Sequence, residues 1–263
     1  MGGGQRLSPV DALLQQGVSL HQAGRYAEAE ACYAKALSIA PKNFDAWQFR
    51  GRAAMARGDY ATAAQSLSEA VRINPKSAPT WDMVGQALGE CGQHQQALAA
   101  YDQALALQPR FAEALCHRAN ALLDLGQAEA ALAGYDASLA IKSDSAEAHC
   151  NRGNALQELG RLQEALAAYE RAIALDGTKA DAFFNRGSIL QRTGRQREAV
   201  ACYDRTLALY PQHVQALLNR GSALQELERY TEALASYDRA IQIAPAYASA
   251  HFNRGSALEK LHR

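Results

Sequence analysis

The sequence predicts an all-α repeat protein, a solenoid built from pairs of antiparallel helices. Three observations predict it: small residues, turn glycines and prolines each recur with a 34-residue period along a chain of 263 residues. This period is typical of helix-pair repeats, in which each unit buries its apolar face only against its neighbours. The small residues, in chain order, are Gly17, Gly51, Gly85, Ala119, Gly153, Gly187, Gly221 and Gly255.

Each unit is expected to contain a helix A, a short turn, a helix B and, in most units, a closing proline. Ser8 and Pro9 suit the N-cap and the first position of the first helix. Glu228 stands where other units have a turn glycine, which costs about 1 kcal/mol if the backbone there is left-handed. The turn glycines that suit the left-handed end of helix A are Gly24, Gly58, Gly92, Gly126, Gly160 and Gly194.

The unit length, the small residues, an aromatic residue in helix B and the closing proline together resemble the tetratricopeptide repeat (TPR). The resemblance implies an all-α TPR α-solenoid, a right-handed superhelix of antiparallel helix pairs whose A helices line the concave face. Residues 8–263 would form this domain after a disordered leader, residues 1–7. Repeats start at 10, 44, 78, 112, 146, 180 and 214, and helix A of an eighth occupies 248–263.

The composition and the absence of known motifs argue against several classes of function. Lys+Arg and Asp+Glu both number 27, so no net charge favours nucleic acid or an acidic membrane surface. No apolar run is long enough for a signal peptide or a membrane span. The five cysteines contain no Cys-x-x-Cys and indicate free thiols in a reducing, cytoplasmic location. No nucleotide, hydrolase or zinc motif occurs, so we expect no catalytic residues, no cofactor and no metal.

An arginine recurs in helix A, and sixteen residues before it lies an acid in helix B of the preceding repeat. The third repeat lacks both partners, having Val84 and Ser68 there, whereas Arg50 faces Ala34. This joint occurrence predicts an ion pair between repeats, with ligand contact as the alternative. The pairs are Asp102 with Arg118, Asp136 with Arg152, Glu170 with Arg186, Asp204 with Arg220, and Asp238 with Arg254.

Asparagine precedes that arginine in the C-terminal half, and a second polar residue follows three positions later on the same helical face. An amide offers both a donor and an acceptor, so a row of them can hold the backbone of an extended peptide. The alternative is that these side chains are only solvated or bond to neighbouring helices. This predicted ladder comprises Asn151, Asn185, Asn219 and Asn253, with Asn120, Asn154, Ser188 and Ser222 beside them.

The repeat at 146–175 is similar to those of the TPR superhelix of O-GlcNAc transferases, including its concave asparagine ladder. Two functions are therefore expected. One is a protein-interaction scaffold that binds an extended protein or peptide ligand. The other is the substrate-recognition region of such a glycosyltransferase, with its catalytic domain outside this chain. The last helix also exposes apolar residues, among them Phe252, Leu258 and Leu261, which predicts self-association as a further possibility.

Overall fold

The computed structural model describes residues 7–261, so the expected leader lies outside the described residues except for Leu7, as do the last two residues. The described residues form fifteen α-helices and no β-strand. They divide into two compact units, unit 1 ending at Ile141 and unit 2 beginning at Lys142. No helix within the described range is long and apolar enough to cross a membrane.

Unit 1 contains four helix pairs. In each pair the two helices are joined by a turn of three residues and pack against each other, as antiparallel neighbours do. Ser8 caps the first helix by accepting a hydrogen bond from the Asp11 amide, and Pro9 begins it, as predicted. The helices are α1 Pro9–Gln22, α2 Tyr26–Ile39, α3 Phe44–Ala56, α4 Tyr60–Ile73, α5 Ala78–Glu90, α6 His94–Leu107, α7 Ala112–Asp124 and α8 Ala128–Ile141.

Unit 2 contains three helix pairs followed by a single helix A. The odd-numbered helices are the A helices throughout the chain. The helices are α9 Ala146–Glu158, α10 Leu162–Leu175, α11 Ala180–Arg192, α12 Gln196–Leu209, α13 Val214–Glu226, α14 Tyr230–Ile243 and α15 Ala248–Leu261. The predicted fold class, an all-α TPR solenoid of antiparallel helix pairs, is confirmed.

The turns between helices A and B use left-handed backbone. The six turn glycines have φ between 72° and 79°, as the sequence predicts. Glu228 adopts the same conformation with φ 60°, and it is the one non-glycine residue with positive φ among the described residues. The turn geometry is therefore kept even where the glycine is absent, and the strain stays at Glu228.

The recurring small residue in helix A makes room for the buried aromatic ring of helix B. A Cβ atom added at Gly17 would lie 2.4 Å from Cε1 of Tyr33. Repeat four has Ala119 at this position, and Gly134 on α8 supplies the space instead. A Cβ at Gly134 would lie 2.9 Å from the Cβ of Ala119. The small residue has moved from one helix to the other, so the close approach of the pair is kept.

The predicted ion pairs between repeats are confirmed at four junctions. Arg50, which the sequence left facing Ala34, instead has its Nε 3.5 Å from Glu30, one turn earlier on α2. These arginines are partly buried and their acids are mostly exposed, an arrangement that links helix B of one repeat to helix A of the next. The four N–O distances are 2.7 Å for Arg118–Asp102, 2.9 Å for Arg186–Glu170, 2.6 Å for Arg220–Asp204 and 2.5 Å for Arg254–Asp238.

Candidate functional site

The A helices of each unit lie next to one another and form a continuous surface, here called the A-helix face. In unit 2, α9 contacts α11, α11 contacts α13, and α13 contacts α15. In unit 1, α1 contacts α3 and α5 contacts α7. Side chains also join consecutive A helices directly. Gln48 on α3 donates to Thr80 on α5 at 2.7 Å, and Gln225 on α13 donates to Ser256 on α15 at 3.1 Å.

All the predicted ladder residues lie on A helices and are half-buried. Asn120 is on α7, Asn151 and Asn154 are on α9, Asn185 and Ser188 are on α11, Asn219 and Ser222 are on α13, and Asn253 is on α15. Half-burial leaves polar atoms accessible while the rest of each side chain is held by its neighbours. Several of these residues already make hydrogen bonds within the protein, so they do not form one uniform row.

Asn154 is the centre of a network that joins two repeats. Its Oδ1 accepts from the hydroxyl of Tyr169 at 2.8 Å and from Nδ2 of Asn185 at 2.9 Å. The same arrangement begins in unit 1, where the Tyr135 hydroxyl donates to Oδ1 of Asn120 at 2.7 Å. Both Asn120 and Asn154 therefore fix the tyrosine and the helix spacing. Bonding to a neighbouring helix, the alternative given above, is what Asn185 does.

Neighbouring repeats hold the tyrosine hydroxyl with glutamine. Tyr203 donates to Oε1 of Gln191 at 3.0 Å, and Tyr237 donates to Oε1 of Gln225 at 3.3 Å. In the sequence these tyrosines are recognisable only as the aromatic residue of helix B. Their rings are fully buried, but their hydroxyls reach the A-helix face. Glutamines recurring at the 34-residue period were the signal that could have revealed this contact.

A tyrosine hydroxyl is protonated at neutral pH, and burial moves the ionisation of these three still further from it. Burial raises the pKa of Tyr169 and Tyr203 above the ordinary tyrosine value, and it raises the pKa of Tyr237 to about 12, with Glu226 adding to the effect. A group that ionises so far above neutral pH is a permanent hydrogen-bond donor under physiological conditions. The floor of the A-helix face is therefore a row of neutral donors.

An open cleft of about 220 Å³ lies between α13 and α15, over the ring of Tyr237. Two predicted ladder residues, Ser222 and Asn253, line this α13–α15 cleft together with Glu226 and Lys260. Within the described part of the chain, neither Ser222 nor Asn253 has a side-chain hydrogen-bond partner, in contrast to Asn154. The cleft thus offers a hydroxyl, an amide, a carboxylate and an ammonium group at one place.

Other ladder residues are occupied within their own helix. Oδ1 of Asn219 accepts from Nε2 of Gln215 at 2.9 Å, and the Ser188 hydroxyl donates to the carbonyl oxygen of Phe184 at 3.1 Å. Glu226 is positioned by two amides, from Gln191 at 3.2 Å and Gln196 at 2.6 Å. The arrangement supplies fixed donors and acceptors suited to a polar backbone. Residues 7–261 contain no group of three or more His, Cys, Asp or Glu that could hold a metal ion.

Solved structures similar to the chain are repeat proteins. YrrB, described as a TPR protein with an unusual peptide-binding site, is 25% identical, with a TM-score of 0.61 over 73% of this chain and 100% of that one. MamA is 25% identical, with a TM-score of 0.58 over 63% of this chain and 96% of that one. PilW, a type IV pilus biogenesis factor, is 22% identical and shares the fold, with a TM-score of 0.72 over 83% of this chain and 100% of that one.

A search of curated proteins gave no significant match. Family models described as tetratricopeptide repeat or TPR repeat match most of the chain, at residues 10–78, 85–126, 119–160, 146–179 and 184–248. These matches lie in both units of the structure. The chain therefore belongs to the tetratricopeptide repeat family.

Proposed function

We propose that the chain is a protein-interaction scaffold whose A-helix face in unit 2 binds an extended polypeptide segment. The observation that carries the proposal is the α13–α15 cleft, where Ser222 and Asn253 have no side-chain partner among residues 7–261 and lie beside a protonated Tyr237. A TPR fold is itself typical of protein–protein interaction, and the similar protein YrrB has a peptide-binding site.

The chemistry of the cleft favours recognition of backbone over recognition of a particular side chain. An amide such as Asn253 pairs with a peptide N–H and a peptide C=O alike. Each such bond contributes about 1 kcal/mol net, so several repeats are needed for useful affinity. We therefore expect weak binding that tolerates many sequences and strengthens with the length of the bound segment.

The ladder residues are not equivalent in this proposal. Asn253 and Ser222 contact ligand directly, because their polar atoms have no partner among the described residues. Asn154 acts as a positioning residue, because its oxygen already accepts from Tyr169 and Asn185. This division separates binding from stability and can be tested by substitution.

The test is a peptide array probed with the full chain and with a variant in which Asn151, Asn185, Asn219 and Asn253 are all alanine. We expect most spots to be lost, since losing each bond weakens binding about fivefold. The paired change of Ser222 and Asn253 to alanine should account for a large share of the loss.

Two controls separate binding from folding. Asn74→Ala alters an exposed asparagine at the end of α4, away from the A-helix face, and should leave the array unchanged. Asn154→Ala should lower the melting temperature, because the Tyr169 hydroxyl loses a partner, while bound spots persist at low temperature. An unchanged array for the fourfold variant would refute the ladder.

A further inference from the structure

A second open cleft lies at the corresponding place in unit 1, between α1 and α3, over the ring of Tyr33. Its volume is about 210 Å³. The 34-residue period makes Val18, Tyr33 and Phe49 the counterparts of Ser222, Tyr237 and Asn253 in the α13–α15 cleft. The backbone framework therefore repeats, but the side chains that line the α1–α3 cleft have a different chemistry.

The walls of the α1–α3 cleft are apolar. Val18 lines one side, and the rings of Tyr33 and Phe49 lie 5.6 Å apart, tilted at 41°. Phe49 replaces the ladder asparagine, so this cleft has no amide at the ladder position, and the one amide that lines it is that of Gln22 on α1. The cleft is shaped instead for a bulky apolar group that needs no hydrogen bond.

Two donors at the cleft have no acceptor among residues 7–261. The Tyr33 side chain is 1% exposed and its hydroxyl makes no hydrogen bond there, although the corresponding hydroxyls of Tyr169 and Tyr237 do. Arg52 also lines the cleft and forms no ion pair within the described residues. The Tyr33 oxygen is not among the fully buried side-chain atoms that lack a partner, so this hydroxyl is accessible from the cleft and can donate to an external acceptor.

We propose that the α1–α3 cleft binds one bulky apolar side chain of a polypeptide, with an adjacent carboxylate of that polypeptide held by Arg52 and the Tyr33 hydroxyl. Arginine is suited to this because its planar guanidinium pairs with a carboxylate through two parallel hydrogen bonds. The site depends on the proposed function only in taking a polypeptide as ligand. It uses none of the ladder residues.

Size and charge both support this ligand. Pockets for drug-sized molecules usually measure about 300–1,000 Å³, so a cleft of about 210 Å³ is suited to a single side chain. No acidic residue lines the cleft, whereas Arg52 and His21 both do. The acid on the neighbouring helix, Glu30, already pairs with Arg50 and Arg57. The cleft therefore favours an anionic ligand group.

The probe is a blocked hexapeptide with a central phenylalanine followed by aspartate in a glycine–serine background. Two companions replace the phenylalanine by alanine or the aspartate by asparagine, and a third peptide ends in phenylalanine with a free carboxylate. Binding to the full chain is followed by NMR titration. We expect shifts at Val18, Tyr33 and Phe49 with the probe, and at least tenfold weaker binding of the alanine peptide.

Protein variants test the donors. Arg52→Gln should weaken the probe about tenfold without changing the asparagine peptide, because only the charged bond is lost. Arg72→Gln makes the same charge change at an exposed residue of α4, paired with Glu69, and should have no effect. Tyr33→Phe should also weaken the probe while keeping the ring.

The proposed asparagine ladder of unit 2 and the proposed α1–α3 site can be refuted independently of each other. The fourfold asparagine variant should bind the probe normally, so its loss of array binding would concern unit 2 alone. Binding of the carboxylate-terminated peptide, but not the aspartate probe, would identify the chain terminus as the source of the carboxylate. Equal binding of the probe and its alanine companion, or equal binding by the Arg52→Gln variant, would overturn the proposed site.

Discussion

Replacing the helix A glycine by alanine should have opposite effects in two repeats of unit 2. At Gly221 an added Cβ would lie 2.4 Å from Cε1 and 2.8 Å from Cζ of Tyr237. That ring is completely buried, so it has no room to move aside. At Gly255, the same position one repeat later, an added Cβ meets no heavy atom of the described residues within 4 Å, apart from the backbone of its own helix. Comparing Gly221→Ala with Gly255→Ala therefore separates the cost of a packing clash from the gain in helix propensity.

The magnitudes follow from two terms. Alanine in place of glycine inside a helix stabilises by about 0.5–1 kcal/mol, and this term is common to both positions. Inserting a methyl group into a well-packed core costs about 1–3 kcal/mol. Gly255→Ala should therefore raise the free energy of unfolding by about 0.5–1 kcal/mol. Gly221→Ala should lower it by about 0.5–2 kcal/mol, because the clash exceeds the gain.

Urea unfolding of the full chain, followed by circular dichroism, measures both variants. Repeat proteins can lose cooperativity, so the midpoints are supported by native-state hydrogen exchange of the amides in α13, α14 and α15. In Gly221→Ala the amides of α13 and α14 should exchange faster. In Gly255→Ala only the amides of α15 should change, and they should exchange more slowly.

A rise in stability for both variants would refute the reasoning. It would mean that the α13–α14 pair relaxes around the new methyl group and that the glycine is not required by the tyrosine. Equal losses at the two positions would refute it as well, because Gly255 has no ring to meet. A double variant with Tyr237→Ala checks the cause, since a side chain that ends at Cβ has no ring for the new methyl group to meet and should remove the added cost at Gly221.

Three further outcomes are expected. Glu228→Gly should raise the free energy of unfolding by about 1 kcal/mol, measured as a higher urea midpoint, because the residue has φ 60°. Burial, and to a lesser extent the charge of Arg52, lowers the pKa of His21. The Arg52→Gln variant should therefore show a higher His21 pKa in an NMR titration. That pKa should still lie below the ordinary histidine value, because the burial remains. Phe252 is 78% exposed on α15, and if this helix mediates self-association, light scattering should show a concentration-dependent dimer that Phe252→Ser abolishes.

The helix pairs could be predicted from the sequence because their causes are local and periodic. Glycine in the turn, serine at the first N-cap and apolar residues at helical spacing each act within a few residues. The ion pairs were also predictable, since an acid and an arginine appear and disappear together at a fixed separation. Even Glu228 follows, because its neighbours in the repeat define the left-handed turn it must adopt.

The details of the A-helix face were less predictable because they depend on how side chains cross between helices. In repeat four the helix A glycine is replaced by Ala119, and Gly134 on helix B provides the space for the close approach of the two helices. Looking at the helix A position alone does not reveal this compensation. The partner of Arg50 is Glu30, one helical turn from the expected position. The tyrosine hydroxyl reaches the surface only because the ring passes over the helix A glycine, and this geometry requires the packed pair.

The helix B tyrosines Tyr33, Tyr169 and Tyr237 meet different surroundings at the A-helix face, and our two proposals rest on these differences. At α9–α11 the Tyr169 hydroxyl is held by Asn154 in a closed network, and at α13–α15 the same place is an open polar cleft. At α1–α3 it is open and apolar, and the Tyr33 hydroxyl has no acceptor among the described residues. The ring is present at all three of these places, so in our proposals recognition at each cleft depends on the few helix A side chains around the hydroxyl. Substitutions there should alter binding while leaving the helix pairs intact, since the packing depends on the glycine and the ring.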